Sequence, residues 1–409
     1  MNFWLINHHA NPPHEPGDAR HFSHARELIR RGHQARVIAC NFDHLKHAYL
    51  PVSTGRRWEN LEHAGVPFTW ISACPYQTNL EFARIRNMFE FAWTAWGNRW
   101  AAELPAPDLV LGSTPDPFAA LAAERLAARY RVPFVLEIRD LWPFVFTEVG
   151  GISKYHPFVQ LVDHVMRYLY ARAARIVMFS GNSTKLLIQS GAAPIKIVWI
   201  PHGVDLAMNP ELGPAPNDGQ FTVTYLGAHN QWNSLDAVLD AAKLLQDAGN
   251  RKVTFRFVGD GVSKPALVNR AAAEGIHNVR FEAPVPKTQV PQIKQSSHAF
   301  IINNRRDGAS RGWMSFHKLY DYLAAGRPVV FGSCTSNDPV REAGAGLSVA
   351  ADDPQALAGA VQYLANCSSQ QLREYGLRGR RFVEEHYSIP ALVDRFETLA
   401  CEVTGLPRA

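Results

Sequence analysis

The most informative segment of the chain is FHKLYDYLAAGRPVVF, residues 316–331. Its first half predicts a short amphipathic helix whose apolar face carries Leu319, Tyr322 and Leu323. The helix is expected to end at Gly326, and the β-branched run that follows at once predicts a strand. A short helix joined so tightly to a strand is typical of an α/β domain.

The start of this helix suits an anionic ligand. A helix N-terminus carries roughly half a positive charge, and this one follows a glycine-bearing segment at 307–312, so its backbone N–H groups would point at a bound phosphate. Asp321 lies one turn inside the helix, where a carboxylate can accept hydrogen bonds from the hydroxyls of a ribose. Recognition of a phosphate and a ribose by one helix indicates a nucleotide-sugar site.

Length and charge bound the remaining possibilities. The chain has 409 residues, too many for one hydrophobic core, which predicts two domains. Its 42 Lys and Arg against 37 Asp and Glu form no basic stripe or tail, so no nucleic-acid partner is expected. No signal peptide and no apolar run of about 20 residues is apparent. With five scattered cysteines, these features predict a reduced cytoplasmic protein.

Both halves of the sequence alternate β-branched runs with amphipathic helices. In the first half, strands are predicted at 3–7, 35–40, 108–112, 134–138, 175–179 and 197–200. In the second half, strands are predicted at 221–227, 253–259, 279–282, 299–303, 328–331 and 347–350. This alternation predicts an α/β fold with parallel, doubly wound sheets.

Residues 206–220 interrupt the alternation with clustered prolines and glycines, which predicts a linker. We therefore expect an N-terminal Rossmann-like domain at 1–205 and a C-terminal one at 221–388. A last helix at 389–409 can cross back to the first domain. Two such sheets place a cleft between the carboxyl ends of their strands.

The ordered motifs of the chain resemble the retaining glycosyltransferases of family 4, which have the GT-B fold of two facing Rossmann-like domains. In the second half the matching segments are IPHGVD (200–205), YLGAHNQWNSLDAVLDAA (225–242), FVGDGVSKPAL (257–267), NVRFEAPVPKTQVP (278–291) and HKLYDYLAAGRPVV (317–330). In the first half they are GDARHFSHARELIRRGHQARVI (17–38) and FVLEIRDLWP (134–143). The combination of EIRDLWP, LGAH and KLYDYLAAG is similar to the branch that builds bacterial surface polysaccharides.

The resemblance implies transfer of a hexosyl or N-acetylhexosaminyl group from a nucleotide-diphospho-sugar, with a UDP-linked donor favoured. The acceptor would be a glycan or a lipid-diphosphate-linked sugar at the inner face of the cytoplasmic membrane. Transfer would retain the anomeric configuration, and neither a metal nor another cofactor would be needed. The departing phosphate would help to deprotonate the acceptor, and the protein would stabilise the diphosphate and orient both substrates.

The resemblance also implies the donor-binding residues. They are Gly227, Gly259, Val285, Arg305, Ser315, Phe316, His317, Lys318, Leu319 and Asp321. Asp321 occupies the place of a glutamate that holds the ribose hydroxyls, and Val285 aligns with a loop whose backbone reads the base.

This chain lacks the arginine and the lysine with which the family usually binds the diphosphate, so other groups must supply the positive charge. The Arg and Lys of the family fall on Ala228 and Asn233, so Lys318 and loop arginines such as Arg305 are the candidates. The glutamate that normally contacts the transferred sugar falls on Trp313. These departures leave the donor sugar open.

The resemblance implies that the N-terminal domain lies on the acceptor side and the C-terminal domain on the donor side. In the N-terminal domain, Gly17 precedes a helix and allows close backbone approach to the diphosphate or the acceptor, so it is also a predicted donor-binding residue. Arg139 and Asp140 follow a buried strand and, with Lys318, are the predicted catalytic residues. The Arg139 guanidinium can hold a phosphate bidentately, or it can pair internally with Asp140; both interpretations remain open.

Residues 81–100 carry an apolar helical stripe with extra tryptophans and arginines. Core packing is the default interpretation of such a stripe, and a helix seated at lipid headgroups is the alternative. The histidines of the chain show no metal-ligand spacing, so no metal site is expected.

Other function classes remain open to test. A nucleotide-sugar 2-epimerase shares the fold, and a non-catalytic partner subunit would fit the departures at Ala228, Asn233 and Trp313. A dinucleotide-dependent oxidoreductase is disfavoured, because neither half has G-x-G-x-x-G after its first strand.

Overall fold

The computed structural model of the protein describes residues 1–12, 19–44, 46–50, 56–78, 82–179, 183–306, 317–335 and 337–408. The chain divides into two compact units. The first comprises Met1–Pro201 with Leu392–Ala409, and the second comprises His202–Ala391.

The first unit is built on one large, mostly parallel sheet. Its described strands are β1 (Asn2–Ile6), β2 (Gln34–Cys40), β3 (Phe42–Asp43), β4 (Ala48–Tyr49), β5 (Trp58–His63), β6 (Val66–Ile71), β7 (Leu109–Ser113), β8 (Phe134–Ile138), β9 (Arg175–Met178) and β10 (Ile197–Trp199). The sheet order is β10-β9-β8-β7-β1-β2-β6-β5, and β3 and β4 form a separate antiparallel pair. The order reverses between β1 and β7, which makes that point of the carboxyl edge the expected ligand position.

The helices of the first unit cover this sheet. They are α1 (Arg20–Arg30), α2 (Phe82–Gly97), α3 (Pro117–Tyr130), α4 (Pro157–Arg172) and α5 (Thr184–Gln189). The six predicted strands of this unit lie within a few residues of their observed bounds. The short pair β3 and β4 and the pair β5 and β6 were not predicted. β5 is an edge strand of alternating polar residues and β6 begins next to Pro67, so neither carries the expected pattern. β5 with β6 is also the one pair in this sheet, as far as it is described, that runs antiparallel.

A cluster of charges ties the C-terminal helix to the first unit. This last helix, Ile389–Thr404, is the thirteenth of the described α-helices, α13. The Arg31 guanidinium lies 3.0 Å from the Glu397 carboxylate and 2.8 Å from Glu27, and His33 Nε2 lies 2.9 Å from Glu397. The residues from Leu392 onward therefore belong to the first unit.

The second unit contains an all-parallel sheet in doubly wound order. Its described strands are β11 (Phe221–Leu226), β12 (Val253–Val258), β13 (Val279–Glu282), β14 (Ala299–Asn303), β15 (Val329–Gly332) and β16 (Gly346–Val349). They lie in the order β13-β12-β11-β14-β15-β16. This is the order of a dinucleotide-binding sheet, with its switch point between β11 and β14.

The helices of the second unit cover both faces of this sheet. They are α6 (Leu235–Asp247), α7 (Lys264–Ala273), α8 (Val290–Gln295), α9 (His317–Ala324), α10 (Pro339–Ala343), α11 (Pro354–Asn366) and α12 (Ser369–His386). Alternate residues of β14 pack into two different apolar clusters, Ile301 on one face and Phe300 on the other. Burial on both faces explains the nearly continuous apolar run that predicted this strand.

Residues 317–331 form the helix and the strand that the sequence predicted. Leu319, Tyr322 and Leu323 are all buried in α9, and the Tyr322 hydroxyl accepts a hydrogen bond from the Leu226 amide at 2.7 Å. Gly326 follows the helix with a φ of +70°, the left-handed conformation that favours glycine. The helix is therefore anchored to β11, the first strand of its own sheet.

The segment predicted as a linker, 206–220, makes contacts within the second unit. The Gly213 carbonyl accepts a hydrogen bond from Arg327 at 2.8 Å, and the Pro216 carbonyl lies 2.8 Å from a ring nitrogen of His298. These contacts hold the segment against the end of the sheet from which β14 starts.

Candidate functional site

Two glycine loops meet at the carboxyl edge of the second sheet. Gly227 follows β11 and Gly259 follows β12, with φ values of +146° and +143°. A Cβ at Gly259 would lie 2.0 Å from the Gly227 carbonyl oxygen, and a Cβ at Gly227 would lie 2.4 Å from Lys318 Cε. The structure therefore brings Gly227, Gly259 and Lys318 together, and only glycine permits the contact.

Lys318 places a positive charge at this edge. Its Nζ donates a hydrogen bond to the Tyr225 hydroxyl at 2.8 Å and lies 4.8 Å from the centre of that ring. The Tyr225 hydroxyl donates in turn to the Ala228 carbonyl at 2.7 Å. Burial lowers the pKa of Lys318 to about 8, so the ammonium is still mostly charged at neutral pH. The nearby tyrosine orients this charge without neutralising it, which suits an anionic ligand.

Asp321 lies one turn further along α9 and is half-buried. Its Oδ1 accepts a hydrogen bond from Asn209 Nδ2 at 3.3 Å. Burial raises the pKa of Asp321, and the ammonium of Lys294 opposes that rise. Neither Asn209 nor Lys294 was predicted, because the first lies in the apparent linker and the second in a short polar helix. Their shared role became visible only in three dimensions.

Two buried polar side chains stand at the switch point between β11 and β14. His229 is 0% exposed and Asn304 is 1% exposed, and each follows the end of one of these strands. Within the described part of the chain, both ring nitrogens of His229 and both amide atoms of Asn304 lack a hydrogen-bond partner. Burial lowers the pKa of His229 to about 4, with a further contribution from Lys264, so the imidazole is neutral.

We expect His229→Leu to stabilise the second unit by about 1 kcal/mol, since a buried polar group without a partner costs free energy that leucine does not. Urea unfolding, followed by hydrogen exchange of peptides from β11, measures the change. A loss of stability instead would mean that the imidazole finds a hydrogen-bond partner in solution.

The structure locates the remaining donor-side predictions only in part. Gly17, Ser315 and Phe316, like Trp313, lie outside the described residues. His317 begins α9, and Leu319 is fully buried in the core, so only its backbone can face a ligand.

Two further predicted residues lie in exposed or partly exposed loops of the second unit. Val285 is in the loop between β13 and α8, and Arg305 follows β14, where its amide donates to the Trp232 carbonyl at 3.4 Å. Asn233, at the place of the family's lysine, donates its side-chain amide to the Ala228 carbonyl at 2.8 Å. Asn233 therefore stabilises the loop that follows β11 but supplies no charge.

The carboxyl edge of the first sheet collects polar groups of its own. Arg139 and Asp140 follow β8, and the Arg139 guanidinium lies 5.7 Å from the centre of the Phe179 ring. Burial raises the pKa of Asp140, while Arg139 and Arg84 act against that rise. The effect of Arg139 on Asp140 agrees with the internal pair, and both interpretations of Arg139 stay predictions.

A buried histidine–aspartate pair at the switch point of the first sheet was not predicted as a site. His8, after β1, has its Nδ1 2.7 Å from Asp116 Oδ2, after β7, and both side chains are fully buried. His9 stacks between His8 and His44, with ring centres 4.6 and 4.3 Å away. The His-His dipeptide directly after the first strand was the available signal. Among the described residues, no group of three or more potential ligands is placed to hold a metal ion.

The apolar stripe of α2 does not pack as its default interpretation required. Phe82 is 78% exposed, and Phe89 and Trp96 are also exposed. Trp93 is 63% exposed and meets Trp96 edge to face, with ring centres 5.3 Å apart. The helix is buried instead through Asn87, Met88, Phe91, Thr94 and Ala95. Core packing is therefore wrong for Phe82 and Trp96, whereas Phe89 packs on Phe118 of α3, with ring centres 4.3 Å apart, and Trp100 is buried.

Comparisons with known protein families match both halves of the chain. A model described as a glycosyl transferase 4-like domain matches residues 22–203. A model described as glycosyl transferases group 1 matches residues 220–367. No protein of curated function matches the chain by sequence.

Solved structures match the chain along nearly its whole length. The Anabaena protein HepE, in complex with UDP and glucose, is 15% identical with a TM-score of 0.64, covering 98% of this chain and 99% of its own. Sucrose-phosphate synthase from Thermosynechococcus elongatus is 14% identical with a TM-score of 0.73, covering 99% of each chain. The lipopolysaccharide outer core galactosyltransferase WaaB is 12% identical with a TM-score of 0.62, covering 98% of this chain and 99% of its own. At such identities the likeness shows the fold: two Rossmann-like α/β domains with parallel sheets, as in the GT-B structures.

Proposed function

Two glycosyl transferase domains place this chain among the glycosyltransferases, and we propose that it transfers a sugar from a nucleotide-diphospho-sugar to a glycan or lipid-linked sugar acceptor. A UDP-linked donor, retention at the anomeric carbon and independence of metal ions are part of the proposal. So is a role in the synthesis of bacterial surface polysaccharide.

One observation in the second unit carries the donor assignment. A single helix, α9, presents an ammonium at Lys318 and a carboxylate at Asp321, one turn apart, where its sheet ends in glycine loops. The ammonium suits a diphosphate and the carboxylate suits the ribose diol. Structures of HepE with UDP and with UDP-glucose support a uridine nucleotide as the first ligand to test.

For the reaction itself, Lys318 would stabilise negative charge on the departing diphosphate. The protein would hold the two substrates in the orientation that the reaction needs. As the bond between the anomeric carbon and the diphosphate breaks, a diphosphate oxygen would take the proton of the attacking hydroxyl, and the new glycosidic bond would form on the same face of the sugar. In the first unit, Arg139 would bind an anionic group of the acceptor and Asp140 would orient the guanidinium.

A thermal-shift screen tests the proposal. The ligands are UDP, GDP, dTDP, CMP and their common sugar conjugates, with NAD as the control. A ligand at ten times its Kd should stabilise the protein by about 1.4 kcal/mol. A shift with one nucleoside diphosphate that is lost in Asp321→Ala supports the donor site. No shift with any nucleotide, in folded protein, would favour a non-catalytic partner subunit. Release of an epimerised nucleotide sugar without acceptor would favour a 2-epimerase.

The same proposal places the protein in the cytoplasm, at the inner face of the membrane, through the exposed face of α2. The exposed aromatic residues of this face are Phe82, Phe89, Trp93 and Trp96, and Arg99 is exposed in the short turn that follows the helix. Aromatic and basic side chains together suit anionic lipid headgroups. Among the described residues, no helix is both long and apolar enough to cross a membrane.

We expect Trp93→Ala to weaken binding to vesicles of phosphatidylglycerol and phosphatidylcholine by about tenfold, because about 1.4 kcal/mol of interfacial burial is lost. Co-sedimentation with the vesicles measures the partition. Tyr363→Ala, which removes an exposed aromatic ring of the second unit, is the matched control and should bind as the unmodified protein does. Equal binding of both variants would exclude α2 as the contact.

A further inference from the structure

A buried lysine lies behind the carboxylate that would hold the ribose. Lys294, near the end of α8, is only 6% exposed. A buried ammonium is costly unless its donors are satisfied. Its Nζ donates to the side-chain oxygen of Asn209 at 2.6 Å and to the backbone carbonyl of Asp321 at 3.3 Å. The charge is thus held against Asp321 by amide oxygens.

Lys294 fixes the orientation of the Asn209 amide. An ammonium has donors only, so the oxygen of the amide must face it and the nitrogen must face away. The Asn209 nitrogen then donates to the Asp321 carboxylate at 3.3 Å and to the Asp205 carbonyl at 3.1 Å. The three side chains form a chain of hydrogen bonds that runs from ammonium to amide to carboxylate.

Arg380 braces the same chain from α12. Its Nη1 donates to the Asn209 backbone carbonyl at 2.6 Å and to the Ala324 carbonyl at the end of α9 at 2.8 Å. Asn209 is therefore held at its backbone as well as at its side chain. This fixes the distance between the amide and the helix that carries Asp321.

Burial of Asp321 disfavours its ionised form, whereas the charges around it favour that form. Lys294 from α8 acts most strongly, the Asn209 hydrogen bond acts in the same direction, and Lys287 from the turn before α8 adds to both. Arg380 donates to the Asn209 backbone carbonyl, and the Asp205 backbone carbonyl accepts from the Asn209 side chain. An ionised carboxylate is an acceptor only, which is the form that two vicinal hydroxyls require.

We propose that Lys294 and Asn209 are positioning residues that hold Asp321 oriented and ionised for the ribose, and so set a preference for a ribonucleotide over its 2′-deoxy analogue. The inference rests on the proposed function, because it assumes a nucleotide on α9. Neither residue need touch the ligand. The ammonium of Lys294 favours the ionised form of Asp321, and the hydrogen bond from Asn209 orients the Asp321 carboxylate.

The test compares the Kd of UDP with that of 2′-deoxy-UDP, in unmodified protein and in Lys294→Met. In unmodified protein the ratio should be about 10, the value of one charge-assisted hydrogen bond. Lys294→Met removes the positive charge that opposes the burial of Asp321, so the pKa of Asp321 rises further; the ratio should fall to about 2 and recover as the pH is raised. The ratio cancels any effect of pH on Lys318, since both ligands carry the same diphosphate.

Two further variants keep the outcomes distinct. Asn209→Ala, which is half-buried and leaves Lys294 in place, should lower the ratio in the same way and serves if Lys294→Met does not fold. Lys252→Met removes another lysine that donates to a backbone carbonyl, that of Ala365, and should leave the ratio unchanged.

A ratio near 10 in both Lys294→Met and Asn209→Ala, while Asp321→Asn abolishes the preference, would overturn this inference and leave the donor site intact. Failure of unmodified protein to bind any nucleotide would instead overturn the proposed function on which the inference rests.

Discussion

Asp321→Ala lowers the affinity of the protein for its nucleoside diphosphate by about 100-fold, since two charge-assisted hydrogen bonds to the ribose, together about 3 kcal/mol, are lost. The carboxylate is half-buried and its Oδ1 has Asn209 as its partner in the described structure, which leaves acceptor positions for two hydroxyls. Isothermal titration with UDP, at a pH near neutral where Lys318 is charged, measures the loss.

The matched control for this variant is Asp247→Ala. Asp247 is exposed on α6, pairs with Lys243 at 3.4 Å and lies on the same unit without a part in the site. It should bind nucleotide as tightly as the unmodified protein. If Asp321→Ala bound UDP with unchanged affinity in folded protein, α9 would not be the ribose site.

Gly259→Ala destabilises the second unit by about 3 kcal/mol, the sum of a strained positive φ and an overpacked backbone contact. The added Cβ would lie 2.0 Å from the Gly227 carbonyl oxygen, and 2.9 Å from its carbon. Backbone cannot rotate away as the end of a side chain can, so β11 and β12 must separate where their loops meet. Hydrogen exchange of peptides from the two strands, measured against urea, reports the free energy of unfolding of this unit.

Gly249→Ala separates strain from contact. Gly249 also has a positive φ, +76°, but a Cβ there meets nothing within 4 Å. This variant should cost about 1 kcal/mol, the strain contribution alone. If both substitutions destabilised the unit equally, the clash of the added Cβ with the Gly227 carbonyl would contribute nothing to the loss of stability.

The elements and their order could be predicted from the sequence because both sheets are built from local signals. In the second unit, β14 and β15 are short apolar runs bounded by glycine or polar residues, and α9 repeats its apolar residues at helical spacing. The edge strand β5 lacked such a signal, since it alternates polar residues and borders solvent.

The stripe on α2 shows the limit of periodicity. Its apolar spacing correctly indicated a helix, but two faces of that helix carry apolar residues, and the more deeply buried one carries Met88, Phe91 and Ala95. Which face is buried depends on the elements that pack around the helix, and that information is spread over the chain.

Local sequence patterns were enough to identify the residue types on α9, the turn glycines after β11 and β12, and the replacement of the family's arginine and lysine by Ala228 and Asn233. The partners of these groups could be identified only in the folded chain. Lys294 and Asn209 lie 27 and 112 residues from Asp321 along the chain. His229 and Asn304 become neighbouring loop residues only through the pairing of β11 with β14. Local patterns specify helices and strands because their hydrogen bonds join near residues, whereas the environment of a charge is set by whatever the fold packs around it.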